Sequence, residues 1–284
     1  MHRLSSVRTD GGRIASNCKR VSPGSLRVAL SDREEVAVGP SGAFTPGQEA
    51  EARRKLFNRI APVYDDLNNR LSFGQQWVWK QQTVKYSGAK KGHKVLDVCC
   101  GSGDIALLLS RLVGPKGQVI GLDFAADMLG YAEARQKEQS LPGLEMYTTP
   151  MQWVQGDATD MPFEDAEFDG ATMGYGLRNV DNRPKALSEL CRVLKPGASV
   201  AILDFNNSVD PTVDSVQAWF LENLVVPAAR QYGLEKEYQY LRPSIKGFPT
   251  GQEQVSLALE AGFSSATHYE VGFGLMGILV ATKR

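Results

Sequence analysis

The chain has 284 residues, 42% of them hydrophobic and 23% charged, with 32 Lys/Arg balanced by 32 Asp/Glu. That length holds one large α/β domain or two small ones, with ample core. Residues 1–44 carry seven bases and four acids, which leaves 25 bases against 28 acids in the rest, so the mildly acidic body excludes a nucleic-acid-binding surface.

The four cysteines, Cys18, Cys99, Cys100 and Cys191, form no C-x-x-C pair. They read as reduced thiols rather than a metal clip or a disulfide framework, and no metal-ligand set is expected. No run of 18 apolar residues exists, which excludes a membrane-spanning helix. Residues 1–31 hold six serines and six bases but one acid, Asp10. Basic, Ser-rich and acid-poor composition without an apolar stretch predicts an organellar transit peptide. The alternative is a plain disordered terminus. The Gly/Pro-rich stretch VGPSGAFTPGQ (38–48) reads as a linker. We therefore divide the chain into a transit peptide and linker (1–44) and one domain (45–284).

In chain order, 93–99 reads as a strand, 104–113 as a helix, 117–124 as a strand and 126–139 as a helix. Strands follow at 151–157 and 168–176. Residues 183–194 form a helical stripe through Ala186, Leu187, Leu190, Val193 and Leu194, stopped by KPG, and 198–205 is the fifth strand. Strands alternating with helices predict a parallel sheet covered on both faces. The region 212–233 reads as helix until Pro227, 238–249 as an aromatic loop, and 250–263 as helix. Two closing runs, 266–273 and 276–283, are separated by Gly274 and Leu275 alone, so they form an antiparallel hairpin. The fold class is α/β: a three-layer αβα sandwich on a mostly parallel seven-stranded sheet.

Ligands of such sheets sit beyond the carboxyl ends of the strands. The first strand ends in LDVCCGSGD, where Gly101 and Gly103 let the backbone approach a ligand and a helix starts at Asp104. Gly101 to Ala106 also fits the dinucleotide pattern G-x-G-x-x-A, a weak signal. Three carboxylates add context: Asp97 in the first strand, Asp123 ending the second, Asp157 ending the third. An acid at the end of strand two can accept both hydroxyls of a ribose.

VLDVCCGSGD (95–104), GLDF (121–124) and GDATDMPF (156–163), in that order, resemble class I S-adenosylmethionine-dependent methyltransferases. The resemblance makes Gly101, Ser102 and Gly103 the cofactor loop, with Asp97 and Gly174 beside it. It assigns Asp123 to the ribose and Asp157 and Ala158 to the adenine. Cys99 replaces the loop's usual first glycine, so its backbone is expected to be ordinary. FNRIAPVYDDLNNRLSFGQQWVWK (57–80), GYGLRNV (174–180), ALSELCRVLKPG (186–197) and YQYLRPSI (238–245) narrow the resemblance. They look like the ubiquinone/menaquinone-biosynthesis C-methyltransferases, over roughly 53–273. The leader and the ending GILVATKR resemble the plant plastid branch. That branch implies methylation of a prenylated demethylnaphthoquinol in phylloquinone biosynthesis, in the chloroplast. Alternatives are a prenylated benzoquinol and a mitochondrial location. The family organisation implies a helical lid (45–92), a cofactor-binding core (93–205) and a substrate-side insertion with the closing hairpin (206–284).

Carbon methylation of a quinone requires the ring to be reduced to a quinol and preferably ionised. Phenols near pKa ~10 are scarcely ionised at neutral pH. Arg178 is expected to stabilise the phenolate, since a guanidinium lowers a neighbouring acid's pKa by about 1–3 units; the alternative is a salt bridge that caps the following helix. Asn179 orients the oxygen or a water. His2, His93 and His268 are badly placed for a base, so the proton leaves through water, helped by Asp65 or Asp204. Tyr64, Phe73, Trp77 and Trp79 read as a lid with Tyr64 and Asp65 turned inward, or as packing on the sheet's flank. Tyr240, Arg242 and Phe248 are expected to line the entrance for ring and chain. The apolar positions of 216–226 fit a bilayer, the core, or a homodimer face. Two readings of other classes stand beside the enzyme. An NAD oxidoreductase is disfavoured by the missing Tyr-x-x-x-Lys pair, and a non-catalytic scaffold by the intact acceptor side.

Overall fold

The computed structural model describes residues 72, 74–139, 149–232 and 234–284. Tyr64, Asp65 and Phe73, and with them most of the expected lid, lie outside these residues. The described chain begins with α1 (Gln75–Tyr86) and then alternates: β1 (Lys94–Val98), α2 (Asp104–Val113), β2 (Gln118–Asp123), α3 (Ala126–Gln139) and β3 (Met151–Gln155). β4 (Gly170–Gly174) ends in a 3₁₀ turn (Leu177–Asn179), followed by α4 (Arg183–Val193) and β5 (Ser199–Phe205).

With β6 (Ser265–Val271) and β7 (Met276–Thr282) closing the chain, the sheet order is β3-β2-β1-β4-β5-β7-β6. Strands β1 to β5 are parallel. β7 inserts antiparallel between β5 and β6. The expected α/β class, parallel body and closing hairpin are thus present. The turn of the hairpin is longer than expected, four residues (272–275), and Gly272, Phe273 and Gly274 all have positive φ.

Near-continuous apolar strands are what a sheet covered on both faces requires. Alternate residues feed opposite layers. Leu96, Val98, Ile120 and Leu122 pack with Phe168, Leu187, Leu190 and Ala258 on one face. Val95 and Val119 pack with Val84, Ile105, Leu109 and Val113 on the other. Asp97, in step with Val95, therefore points to the α1/α2 side and is buried there. α4 starts where Asn182 Oδ1 accepts the Lys185 amide at 3.0 Å, with a proline in the first turn, the usual way to satisfy an orphan N–H. α9 (Gly251–Glu260) carries a capping box between Thr250 and Glu253.

Two expectations after β5 are corrected. The helix does not stop at Pro227. α5 (Pro211–Phe220) runs into a π-helical turn (Leu221–Val225) and on into α6 (Val226–Arg230). Proline lacks an N–H and crowds the carbonyl four residues back; the wider π turn just before Pro227 removes that conflict. Residues 238–249 are mostly helical, in α7 (Glu235–Gln239) and α8 (Leu241–Lys246). Tyr238 and Ile245 join Leu221, Val225, Ala229, Tyr232 and Leu234 in a separate small core.

Candidate active site

The carboxyl ends of β1, β2, β3 and β4 open onto one cleft. Asp97, Cys99, Cys100, Gly101 and Ser102 line it from β1, Leu122 and Asp123 from β2, and Gly156 to Thr159 from β3. Gly174, Tyr175, Gly176 and Asn179 follow β4, and Lys80 reaches in from α1. The backbone turns sharply here, with φ of 53° at Cys99, 53° at Gly101 and 84° at Gly103. Cys99 is thus far from ordinary: a side chain holds the left-handed conformation that glycine adopts freely. The space above it is kept open by Gly176, where a Cβ would stand 2.6 Å from Cys99 Cβ.

The Gly101 amide donates to Asp123 Oδ2 at 2.8 Å, and the Ala125 amide to Asp123 Oδ1 at 2.9 Å. Burial raises the pKa of Asp123, with these amides opposing. The Phe124 amide also bears on this carboxylate, and its oxygens, each with two lone pairs, stand at the cleft as acceptors for hydroxyls. Asp157 Oδ1 accepts the amide and hydroxyl of Thr159, both at 2.8 Å, which closes the loop after β3. Burial pushes the Cys99 and Cys100 thiols well up, with Asp123 and Asp97 adding to it. They are neutral, weakly polar walls and not nucleophiles.

Asp97 is 1% exposed. Thr172 Oγ1 donates to its Oδ1 at 2.7 Å, while Oδ2 is buried without a partner. Burial lifts its pKa to about 7, against the Thr172 hydroxyl and the Ala106 amide. A buried, unpaired carboxylate oxygen on a cleft wall calls for a donor from outside the chain.

On the acceptor side, the structure separates two neighbours. Asn179 lines the cleft and donates through Nδ2 to the Tyr175 carbonyl at 3.1 Å. Arg178 is absent from the lining. Its Nε donates to Asp204 Oδ1 at 3.2 Å, its Nη1 to Ser244 Oγ at 2.5 Å, and its backbone N–H to Asp204 Oδ2 at 3.0 Å. The expected phenolate-stabilising guanidinium is therefore committed to a buried ion pair. Asp204, the expected alternative base, accepts from Arg178 through both of its carboxylate oxygens.

A family model described as the ubiE/COQ5 methyltransferase family matches residues 47–283. The chain belongs to the ubiE/COQ5 methyltransferase family. This methyltransferase is 56% identical over 231 residues to a protein of Arabidopsis thaliana named "2-phytyl-1,4-beta-naphthoquinone methyltransferase, chloroplastic", covering 81% of this chain and 87% of that protein. It is 54% identical to the 2-phytyl-1,4-naphtoquinone methyltransferase of Synechocystis, covering 82% and 95%. Among solved structures it is similar in fold to a SAM-dependent methyltransferase from Aquifex aeolicus, with TM-score 0.54 and 22% identity over 72% of this chain and 89% of that one.

Apart from Arg178, the sequence-predicted residues of the methyltransferase fall into three groups. Asp97, Gly101, Ser102, Asp123, Asp157, Ala158, Gly174 and Asn179 share the cleft, and Gly103 closes its loop. Tyr64 and Asp65 lie outside the described residues. The entrance group is dispersed: Phe248 is 2% exposed and belongs to the main core, with the Arg183 guanidinium 5.5 Å from the centre of its ring. Arg242 makes a two-pronged ion pair with Asp214, at 2.7 and 2.9 Å. Tyr240, partly buried at the junction of α7 and α8, is outside the cleft lining.

Lys80 was missed by sequence reasoning. It is buried at 5% exposure on a helix whose other buried residues are Gln76, Thr83 and Val84. The signal was a polar stripe at helical spacing, invisible to a search for apolar periodicity. Trp79 beside it packs on the flank of β5 and β7 with Tyr86, as the packing alternative had it, whereas Trp77 stays partly exposed.

Proposed function

We propose that the chain transfers a methyl group from S-adenosylmethionine to a ring carbon of a reduced 2-phytyl-1,4-naphthoquinone, the methylation step of phylloquinone biosynthesis. The observation that carries the substrate is the 56% identity to a relative of that name across 87% of its length. The cleft fits the donor: Gly101 and Gly103 for backbone approach, Asp123 for two hydroxyls, and the orphan Oδ2 of Asp97 for a cationic group. When bound, S-adenosylmethionine supplies an electrophilic methyl on positively charged sulfur.

The chain's own residues then have three tasks. Asp97, Gly101, Ser102, Gly103, Asp123, Asp157, Ala158 and Gly174 hold the donor. Asn179 meets the acceptor and orients its ring oxygen. Arg178 acts at one remove: through Asp204 and Ser244 it fixes the 3₁₀ turn that presents Asn179. It is a positioning residue. Tyr64 and Asp65 complete the acceptor side, with Asp65 taking the proton through water. Tyr240 stays at the entrance.

A lipid-borne acceptor asks for contact with a lipid surface. Phe205 pairs with Met276, so the turn 272–275 lies at the carboxyl edge of the sheet, where the cleft opens. Phe273 in that turn is 99% exposed, and Val209, Val216 and Trp219 are exposed on the adjoining loop and α5. These residues are the proposed peripheral contact, with aromatic rings at an apolar–polar boundary. No described helix is long and apolar enough to cross a membrane. Within 216–226, Leu221 and Val225 are core instead. The basic leader and the chloroplastic relative support a plastid location. The test is methyl transfer from labelled donor to the phytylated ring supplied reduced or oxidised: label is expected in the reduced form only, and label in neither would refute the proposal.

A further inference from the structure

The cofactor reading gives no role to Lys80, a basic side chain of the cleft lining. We infer that Lys80 binds the carboxylate of the cofactor's amino-acid end, opposite Asp97, so that the two side chains read a zwitterion. The inference rests on the S-adenosylmethionine reading and deepens it.

An ammonium group has three N–H donors. Two are used within the chain: Lys80 Nζ donates to Gln76 Oε1 at 3.1 Å and to Asp104 Oδ2 at 2.5 Å. No third acceptor for it occurs among the described residues, although Lys80 lines the cleft. The Tyr175 and Trp77 rings stand about it, their centroids 6.0 and 5.8 Å away. They shield the ammonium from water.

Asp104 does not belong to Lys80 alone: its other oxygen is bonded by Arg135 at 2.5 Å. Burial works to raise the Asp104 carboxyl, yet the Lys80 and Arg135 charges hold it below its usual range. A buried ammonium with an unfilled donor on a cleft wall is costly unless a ligand completes the site.

The second observation is Asp97. Its Oδ2 is buried and unpartnered on the same cleft, and close enough to Lys80 to feel its charge. A positive and a negative wall in one narrow cleft suit a ligand bearing an ammonium and a carboxylate on one carbon. A pyrophosphate would satisfy Lys80 and be repelled by Asp97.

The test measures equilibrium binding of three probes to the full chain at pH 8. S-adenosylmethionine carries both groups, decarboxylated S-adenosylmethionine only the ammonium, and 5′-methylthioadenosine neither. Lys80→Met is expected to weaken S-adenosylmethionine about 10- to 100-fold, the loss of one charge-assisted bond. The other two probes should bind as before, and Lys80→Arg should keep most of the preference for the carboxylate. Equal weakening of all three probes, or of none, would overturn the assignment and leave Lys80 a structural tie between α1 and Asp104. Should Lys80→Met fail to fold, the Lys80→Arg variant and the wild-type preference for S-adenosylmethionine over its decarboxylated form decide alone; no preference overturns it. If the wild type binds none of the probes, the cofactor reading itself falls and takes this one with it.

Discussion

Arg178 and Asp204 form an ion pair, 3.2 Å from Nε to Oδ1, with both side chains at most 5% exposed. The pair ties the 3₁₀ turn after β4 to the end of β5, and Ser244 extends the tie to α8. It places a charge next to the cleft without putting it in the cleft. The neighbouring Asn179 is the one that lines the cleft.

Removing one partner of such a pair strands the other. Arg178→Met should cost about 3–5 kcal/mol of stability, read as a lower denaturant midpoint. Arg178→Lys should cost less, since an ammonium still reaches Asp204 but cannot span to Ser244. Asn179→Ala should leave stability nearly unchanged and lower kcat with little change in donor affinity. If Arg178→Lys instead keeps full stability and loses only turnover, the guanidinium acts on substrate directly.

The orphan oxygen of Asp97 makes a pH prediction. Its folded pKa, about 7, lies above the ordinary value of 3.8, so the fold favours the neutral acid. That preference stabilises the fold fully below pH 3.8 and is lost as pH rises through about 7. Asp97→Asn should therefore raise the melting temperature of the ligand-free protein, more at pH 8 than at pH 5, while weakening donor binding. A variant less stable than wild type at pH 8 would show that the oxygen has a partner.

Glu189 behaves in the opposite sense. Bonds from Arg192 hold its pKa down at about 2, with the Met161 amide also contributing. Its contribution is present above the ordinary value of 4.5 and lost as pH falls toward 2. Glu189→Gln should destabilise by about 1–3 kcal/mol at pH 7, the range for a lost charge-assisted bond. Denaturation curves of the two proteins should converge in strong acid; a gap that persists at pH 2 would contradict the linkage.

Two glycines of the cleft separate strain from space. Gly103 has φ of 84°, and a Cβ there would meet Trp153 at 2.7 Å. Gly174 has ordinary backbone, and its Cβ would meet chiefly the tip of Ile105 at 2.5 Å, which can rotate away. Gly103→Ala should cost about 1 kcal/mol or more and weaken donor binding, and Gly174→Ala should be milder in calorimetry. Similar losses at both positions would contradict the ranking.

The sheet was legible because its strands announce themselves as apolar runs between helical stripes, and strand-end carboxylates such as Asp123 fall where parallel topology puts a ligand. What escaped is what depends on partners distant in sequence. Nothing in GLRN reveals that Arg178 meets Asp204 and Ser244, 26 and 66 residues away. Phe248 looks like an entrance aromatic, yet the main core takes it in. Cys99 hides a left-handed backbone that sequence reserves for glycine, tolerated because Gly176 leaves room for its thiol. Lys80 lies on a polar stripe, and a polar stripe is normally read as solvent-facing.

The proposed lipid contact centres on the hairpin turn and α5. Phe273→Asp with Trp219→Asp should reduce sedimentation with vesicles of neutral and anionic plastid-type lipids at least about threefold, since each ring buries apolar area worth 1.5–3 kcal/mol. Methyl transfer to a short-chain, water-soluble acceptor should be unaffected. Unchanged sedimentation would move the contact elsewhere.

The most direct measurement of the central claim supplies residues 45–284 with methyl-labelled S-adenosylmethionine and two reduced acceptors, a phytylated demethylnaphthoquinol and a prenylated demethylbenzoquinol. Label on the ring carbon of the naphthoquinol, with little on the benzoquinol, is the expected result. Preferential labelling of the benzoquinol, or labelled oxygen in place of labelled carbon, would contradict it.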